Sequence, residues 1–252
     1  MAERITSRSN PLLVHIRKLA SSRPHRYGTG EYLGDGAKLL AEAVHWSAPL
    51  TAVVHTAGTA LPPLPEGVRI VEVPEDVMAS ISPMEAPQGV LFLARIPGTP
   101  PPAALPPSRY LALEGVQDPG NVGTILRTAD AFGAEGIFLL PGCADLYNPK
   151  TVRSSMGAIF RLPAWNVTLR ELQGLAERSS LSLLGTALRP DTIDLRGISL
   201  QRSVILLGSE GKGLSEEAIS LCGKTVRIPM EGKCESLNVA AAAAALLWEG
   251  YR

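Results

Sequence analysis

The sequence predicts an α/β protein in two parts, a small N-terminal α/β domain and a larger C-terminal domain built on a mostly parallel sheet. Two observations carry this expectation. The stretch IPGTPPPAALPP, residues 96–107, has proline at six of its twelve positions. Such a segment resists helix and sheet and acts as a semi-rigid spacer. Beyond it, runs of β-type residues alternate with helical patterns, as expected of parallel strands covered by helices. The expected domains are residues 1–95 and 108–252, joined by the proline-rich linker at 96–107.

In the first part, Asn10 before Pro11 predicts a helix start, since asparagine caps well and proline suits the first helical position. Leu12, Leu13, Ile16 and Leu19 then recur at helical spacing. A second helix is expected over 37–46, with strands at 52–55, 68–73 and 90–94. In the second part, strands are expected at 110–116, 136–140, 181–186, 204–207 and 225–228. Helices are expected at 121–132, near 150–158, and at 169–178, 215–221 and 236–250. In sheets of this kind ligands bind beyond the carboxyl ends of the strands.

Composition excludes several classes. Formal net charge is zero over 252 residues, so total charge identifies no partner. The first forty residues hold seven basic side chains against three acidic ones, an arm able to meet a polyanion or simply a solvated helix face. Cys143, Cys222 and Cys234 show neither a disulfide framework nor paired zinc spacing. No apolar run reaches the length of a membrane span, and MAERITSRSNPLL has no apolar signal core. A soluble, cytoplasmic protein is expected. His15, His25, His45 and His55 form no local metal-ligand pattern and are expected to be structural or surface groups.

Three segments carry the chemistry. In QDPGNVGTILRTADAFG, residues 117–133, Asn121 is placed to cap a helix whose start offers free N–H groups to an anion. Arg127 follows and suits a forked contact to phosphate, or else pairs with Asp130 or another acid. In LLGSEGKGL, residues 206–214, three glycines permit close backbone approach around Glu210. In IPMEGKCESLNV, residues 228–239, Ser236 and Asn238 both stand where a cap is needed. The alanines at 240–245 then form a strong helix with little bulk.

Taken in this order and spacing, these segments resemble the three motifs of the SpoU-type (TrmH-like) RNA 2′-O-ribose methyltransferases of the SPOUT superfamily. NPKTVRSSMGAIF, residues 148–160, is similar to a fourth family segment, and ITSRSNPLLVHIRKL resembles the start of members with a small ribosomal-protein-like RNA-binding domain. One departure is LGDG at 33–36, where such relatives usually carry a glutamate-glycine pair and this chain has Asp35.

The resemblance implies a deep C-terminal trefoil knot, a homodimer and S-adenosylmethionine as methyl donor, with ribosomal or transfer RNA as substrate and no metal. It implies that Thr186, Gly208, Ile228, Met230, Ser236 and Leu237 cradle the donor. It further implies that Arg127, Asn121, Glu210 and Asn238 form the catalytic pocket. Arg8, Arg17, Lys18, Arg23 and Arg26 are the expected RNA contacts in the N-terminal domain. Two rivals remain at this level. A nucleotide-binding enzyme is suggested by Gly223-Lys224-Thr225, although Ala218 replaces the glycine that a phosphate loop requires. A non-catalytic RNA-binding module would keep the fold without needing the pocket residues. A serine hydrolase is excluded by the lack of a G-x-S-x-G elbow.

Overall fold

The computed structural model describes residues 3–231 and 236–252, so Cys234 and the middle of the third motif lie outside the described residues. The chain forms two compact units, Met1–Gly98 with Asp145–Phe160, and Thr99–Ala144 with Arg161–Arg252.

The first unit runs β1 (Glu3–Arg4), α1 (Pro11–Ser21), α2 (Arg23–Thr29), β2 (Glu31–Asp35), α3 (Ala37–His45), β3 (Leu50–His55), β4 (Arg69–Glu72), α4 (Glu75–Ile81) and β5 (Val90–Arg95). Its sheet is mixed, in the order β1-β4-β3-β5-β2, with β5 antiparallel to both neighbours. α1 begins as its sequence predicts: Pro11 opens the helix, and the Asn10 side chain accepts from the Leu12 N–H at 2.9 Å. Leu13, Ile16 and Leu19 are fully buried from its inner face.

α2, β2 and α4 have no counterpart in the sequence reading. β2 hides its character behind Gly34, which sits under the Phe92 ring of β5, where any Cβ would strike the ring. A mid-strand glycine here marks close packing rather than a turn. The histidine expectation also gains detail. His15 and His25 share a 2.9 Å contact between Nδ1 and Nε2, and His15 Nε2 meets Glu31 at 2.9 Å. Burial, then the neighbouring His15 and Lys18, hold the His25 imidazole below its usual pKa.

The second unit runs β6 (Arg109–Leu113), α5 (Pro119–Ala131) and β7 (Gly136–Leu139), after which α6 (Pro149–Ser154) packs within the first unit. It continues with β8 (Ala164–Asn166), α7 (Leu169–Arg178), β9 (Ser182–Thr186), β10 (Ile193–Asp194), β11 (Ser203–Leu207), α8 (Glu216–Leu221), β12 (Lys224–Arg227) and α9 (Val239–Tyr251). Its sheet has the order β10-β12-β9-β11-β6-β7-β8, and every pairing is parallel. β6, β7 and β11 are buried along their whole length, as strands covered on both faces must be.

The end of the proline-rich linker docks on this unit. Leu105 is buried in its core, and its N–H donates to the Ser179 hydroxyl at 2.8 Å. At the far end of β6 the buried Arg109 donates to the carbonyls of Phe132 and Leu247, at the C-terminal ends of α5 and α9. Among the described residues, no helix is long and apolar enough to cross a membrane.

Arg26 is a correction to the expected RNA contacts. Its guanidinium donates to Asp145 at 2.6 and 2.8 Å and to the Leu19 carbonyl at 2.6 Å. The two charged side chains are only 3% and 6% exposed. It therefore fastens the 145–160 segment inside the first unit and is not available to a phosphate. Arg26→Ala leaves the Asp145 charge buried without its partner. Urea denaturation of this variant is expected to show a loss of about 3–5 kcal/mol.

Candidate active site

β6 and β11 are neighbours in the centre of the parallel sheet, so the loops leaving their carboxyl ends emerge side by side. The loop after β6 leads into α5, which starts two residues earlier than the sequence suggests. Asp118, not Asn121, is its cap, accepting from the Asn121 N–H at 3.0 Å. This frees the Asn121 side chain for work elsewhere. Its amide nitrogen donates a short hydrogen bond to Glu210 in the loop after β11.

That second loop turns back tightly. A Cβ at Gly208 would overlap the peptide joining Gly213 to Leu214, so only glycine fits where the loop closes on itself. Gly213 adopts φ +66°, and its N–H donates to the Ser209 carbonyl at 2.9 Å. Glu114, at the end of β6, holds the loop from beneath. Its carboxylate accepts from the Ser215 N–H at 2.8 Å and from the Ser215 hydroxyl at 2.7 Å. Sequence reasoning missed Glu114; the available signal was an acid directly following an apolar strand in a parallel sheet.

The third segment meets the other two at the start of α9. Asn238 is the cap: its side-chain oxygen accepts from the Ala240 N–H at 2.9 Å and the Ala241 N–H at 3.4 Å. Its amide nitrogen simultaneously donates to the Asn121 side-chain oxygen at 3.3 Å. Asn238, Asn121 and Glu210 thus form one hydrogen-bonded chain across all three segments. α9 packs on α5, and its Ala240 and Ala243 are buried.

Beside this chain lies a cavity of about 320 Å³, within the usual range of ligand pockets. Thr186, Gly208, Ile228, Met230, Ser236 and Leu237 all line it, together with Glu210. Leu207, Val226 and Val239 make the wall largely apolar, while Arg227 brings a cation that the sequence reading did not single out.

Arg127 stands apart. It is exposed on α5 and is not part of the cavity wall. The alternative pairing with Asp130 does not form, because Asp130 takes Arg161 at 2.7 Å. Among the described residues Arg127 has no hydrogen-bonding or ionic partner. Of the expected RNA contacts, Arg8 pairs with the exposed Asp76 at 2.8 Å, and Arg17 donates to the Arg8 carbonyl. Arg23 lies over the Tyr27 ring at 5.5 Å, and Lys18 stands at the end of α1.

Gly208→Ala gives a sharp test of the loop geometry. The added methyl must displace the Gly213–Leu214 peptide and so narrow the cavity. Binding of S-adenosylmethionine, measured by calorimetry, is expected to weaken about tenfold or more, or roughly 1.4 kcal/mol.

The same architecture recurs among known proteins. A model of the SpoU rRNA Methylase family matches residues 108–248, and one of the MRM3-like substrate binding domain matches residues 10–92. An uncharacterized tRNA/rRNA methyltransferase of Synechocystis is 36% identical over 98% of this chain and 93% of its own. The 23S rRNA (uridine(2479)-2′-O)-methyltransferase of Streptomyces viridochromogenes is 32% identical over 96% of this chain and 82% of its own. An AdoMet-bound rRNA methyltransferase from Sinorhizobium meliloti matches with a TM-score of 0.86 at 30% identity, covering 99% of this chain and 97% of that one. With three motifs joined by side-chain hydrogen bonds and a family model spanning most of the second unit, the chain belongs to the SpoU rRNA methylase family.

Proposed function

We propose that this protein transfers the methyl group of S-adenosylmethionine to a ribose 2′-hydroxyl of ribosomal RNA, in the cytoplasm and as a homodimer. The observation that carries the reading is the Asn238–Asn121–Glu210 chain at the rim of a cavity lined by every residue expected to hold the donor. Ribosomal rather than transfer RNA is favoured because the relatives matched over the whole chain include rRNA methyltransferases. The match to a structure concerned with 2-OH methylation of C/U34 on tRNA covers 57% of the chain at a TM-score of 0.51.

The cavity fits the donor chemically. Leu207, Ile228, Met230 and Leu237 would offer apolar surface to a planar heterocycle, and Glu210 would offer a carboxylate to a positively charged donor. When bound, S-adenosylmethionine supplies an electrophilic methyl group. Asn121 and Asn238 fix the Glu210 carboxylate, so the rim keeps its shape as substrate enters. The attacking 2′-oxygen is a poor nucleophile until its proton leaves, and the site must favour the developing alkoxide. Arg127 fits that task as a grip on the neighbouring phosphate and a positive charge beside the 2′-oxygen. A guanidinium stays protonated, so phosphate or water receives the proton.

In this reading a second copy of the chain would bring its cavity to Arg127, which lies outside the cavity wall of its own chain. Phe132, Trp248 and Tyr251 cluster at the C-terminal ends of α5 and α9, with Trp248 52% and Tyr251 60% exposed. An exposed aromatic cluster of this kind suits a second copy of the chain. The same reading includes the knotted C-terminal path that the family resemblance implies.

Two measurements test this. Arg127→Ala is expected to slow methyl transfer to RNA from cells lacking the protein by about 10²–10³-fold, while calorimetric donor affinity stays within about twofold. Wild-type turnover would remove Arg127 from the mechanism. Replacing Trp248 and Tyr251 with glutamate is expected to give a folded monomer by sedimentation, with methyl transfer lost; a persisting dimer would move the interface elsewhere.

A further inference from the structure

The first unit holds a second cavity, of about 370 Å³, that plays no part in the chemistry above. Asp35 and Lys38 come to it from the junction of β2 and α3, Met84 and Gln88 from the loop before β5, and Arg153 and Met156 from α6 and the residues after it. The cavity is thus assembled from sequence on both sides of the proline-rich linker. Segment 145–160 lies within the stretch matched by the SpoU model, yet it packs in the first unit, where Arg26 anchors it.

Its lining is mixed in a particular way. Met84, Met156 and Leu39 give soft, polarisable and aliphatic walls, and thioethers pack well against aromatic faces. Lys38 and Arg153 bring two cations, and Arg153 acts electrostatically on the Asp35 carboxyl beside it. Glu42 adds a carboxylate to the same wall. The Gln88 amide offers both a donor and an acceptor. Asp35 is buried and accepts from the Ser82 hydroxyl at 2.9 Å; burial holds its carboxyl above the usual range despite Ser82 and Arg153, which pull it down. Gly36 keeps the entrance open. It adopts φ +109°, and a Cβ there would meet the Gln88 side-chain oxygen at 2.7 Å.

We propose that this cavity receives one unstacked nucleobase of the RNA substrate, with Met84 and Met156 against its face, Gln88 and Asp35 at its polar edge, and Lys38 and Arg153 on the flanking phosphates. Sequence-selective RNA recognition commonly works on such splayed bases. The proposal rests on the RNA methyltransferase reading. It adds a docking point that fixes which nucleotide reaches the donor, through a base the enzyme does not modify.

The test uses the full chain and short random-sequence RNAs carrying 4-thiouridine or 6-thioguanosine. After irradiation, mass spectrometry is expected to find adducts on peptides spanning 84–88 or 153–156. Adducts confined to other peptides would overturn the proposal. The combined variant Gln88→Ala with Met156→Asn changes two exposed side chains, so the melting temperature should hold. Its affinity for the same RNAs, read by fluorescence anisotropy, is expected to fall about tenfold. Unchanged affinity would overturn the proposal. Complete displacement of the RNA by free uridine or guanosine monophosphate alone would also overturn it, by showing a mononucleotide site. Calorimetry with S-adenosylmethionine and methyl-transfer assays report separately on the catalytic reading. Adducts without methyl transfer would sink that reading and leave the cavity standing; methyl transfer without adducts would do the reverse.

Discussion

The hydrogen-bonded chain from Asn238 through Asn121 to Glu210 is the constraint on which the catalytic unit depends. It closes only because the parallel sheet sets β6 beside β11, so that two loops distant in sequence leave from adjacent strand ends. It also requires a division of labour at helix starts. Asp118 caps α5 and thereby releases Asn121, whereas Asn238 caps α9 with its oxygen and still has an amide nitrogen to donate. An aspartate in place of Asn238 would cap as well but would have no donor to offer.

Much of this was legible in the sequence, for reasons that differ between the units. Alternation of strand and helix and the Asn10–Pro11 helix start are local signals, and local signals survive in a one-dimensional reading; the single divide expected at 96–107 does not show that residues 145–160 pack in the first unit. The three motifs were legible because glycine, asparagine and glutamate stand where only particular residues serve. Two of the structure's departures arise from contacts far apart along the chain, and a third from a choice between neighbouring caps. Arg26 reads as a free cation until Asp145, more than a hundred positions away, is brought against it. The strand through Gly34 goes unread until the Phe92 ring is laid over that glycine. Asn121 reads as a cap because its competitor, Asp118, precedes a proline and resembles part of a turn.

The basic N-terminal arm shows why counting charge overstates reach. Of its seven basic side chains, Arg8 and Arg4 pair with Asp76 and Glu72 and Arg26 is spent on internal architecture, which leaves Arg17, Lys18, Arg23 and Lys38 without an acidic partner among the described residues. An RNA contact in this unit therefore rests on fewer positive groups than the sequence suggests, and shape must carry more of the recognition.

Arg109 has a wider consequence than its burial indicates. One guanidinium donates to carbonyls at the C-terminal ends of both α5 and α9, and Gly250 leaves room for it where a Cβ would come within 2.8 Å. The two helices are pinned together at the end remote from the asparagines they present. They behave as the arms of a rigid tuning fork with a common stem, so neither amide can be repositioned without carrying the other along. Evolution of a new substrate preference in this scaffold is channelled towards the surrounding loops and the N-terminal unit, where residues can change one at a time.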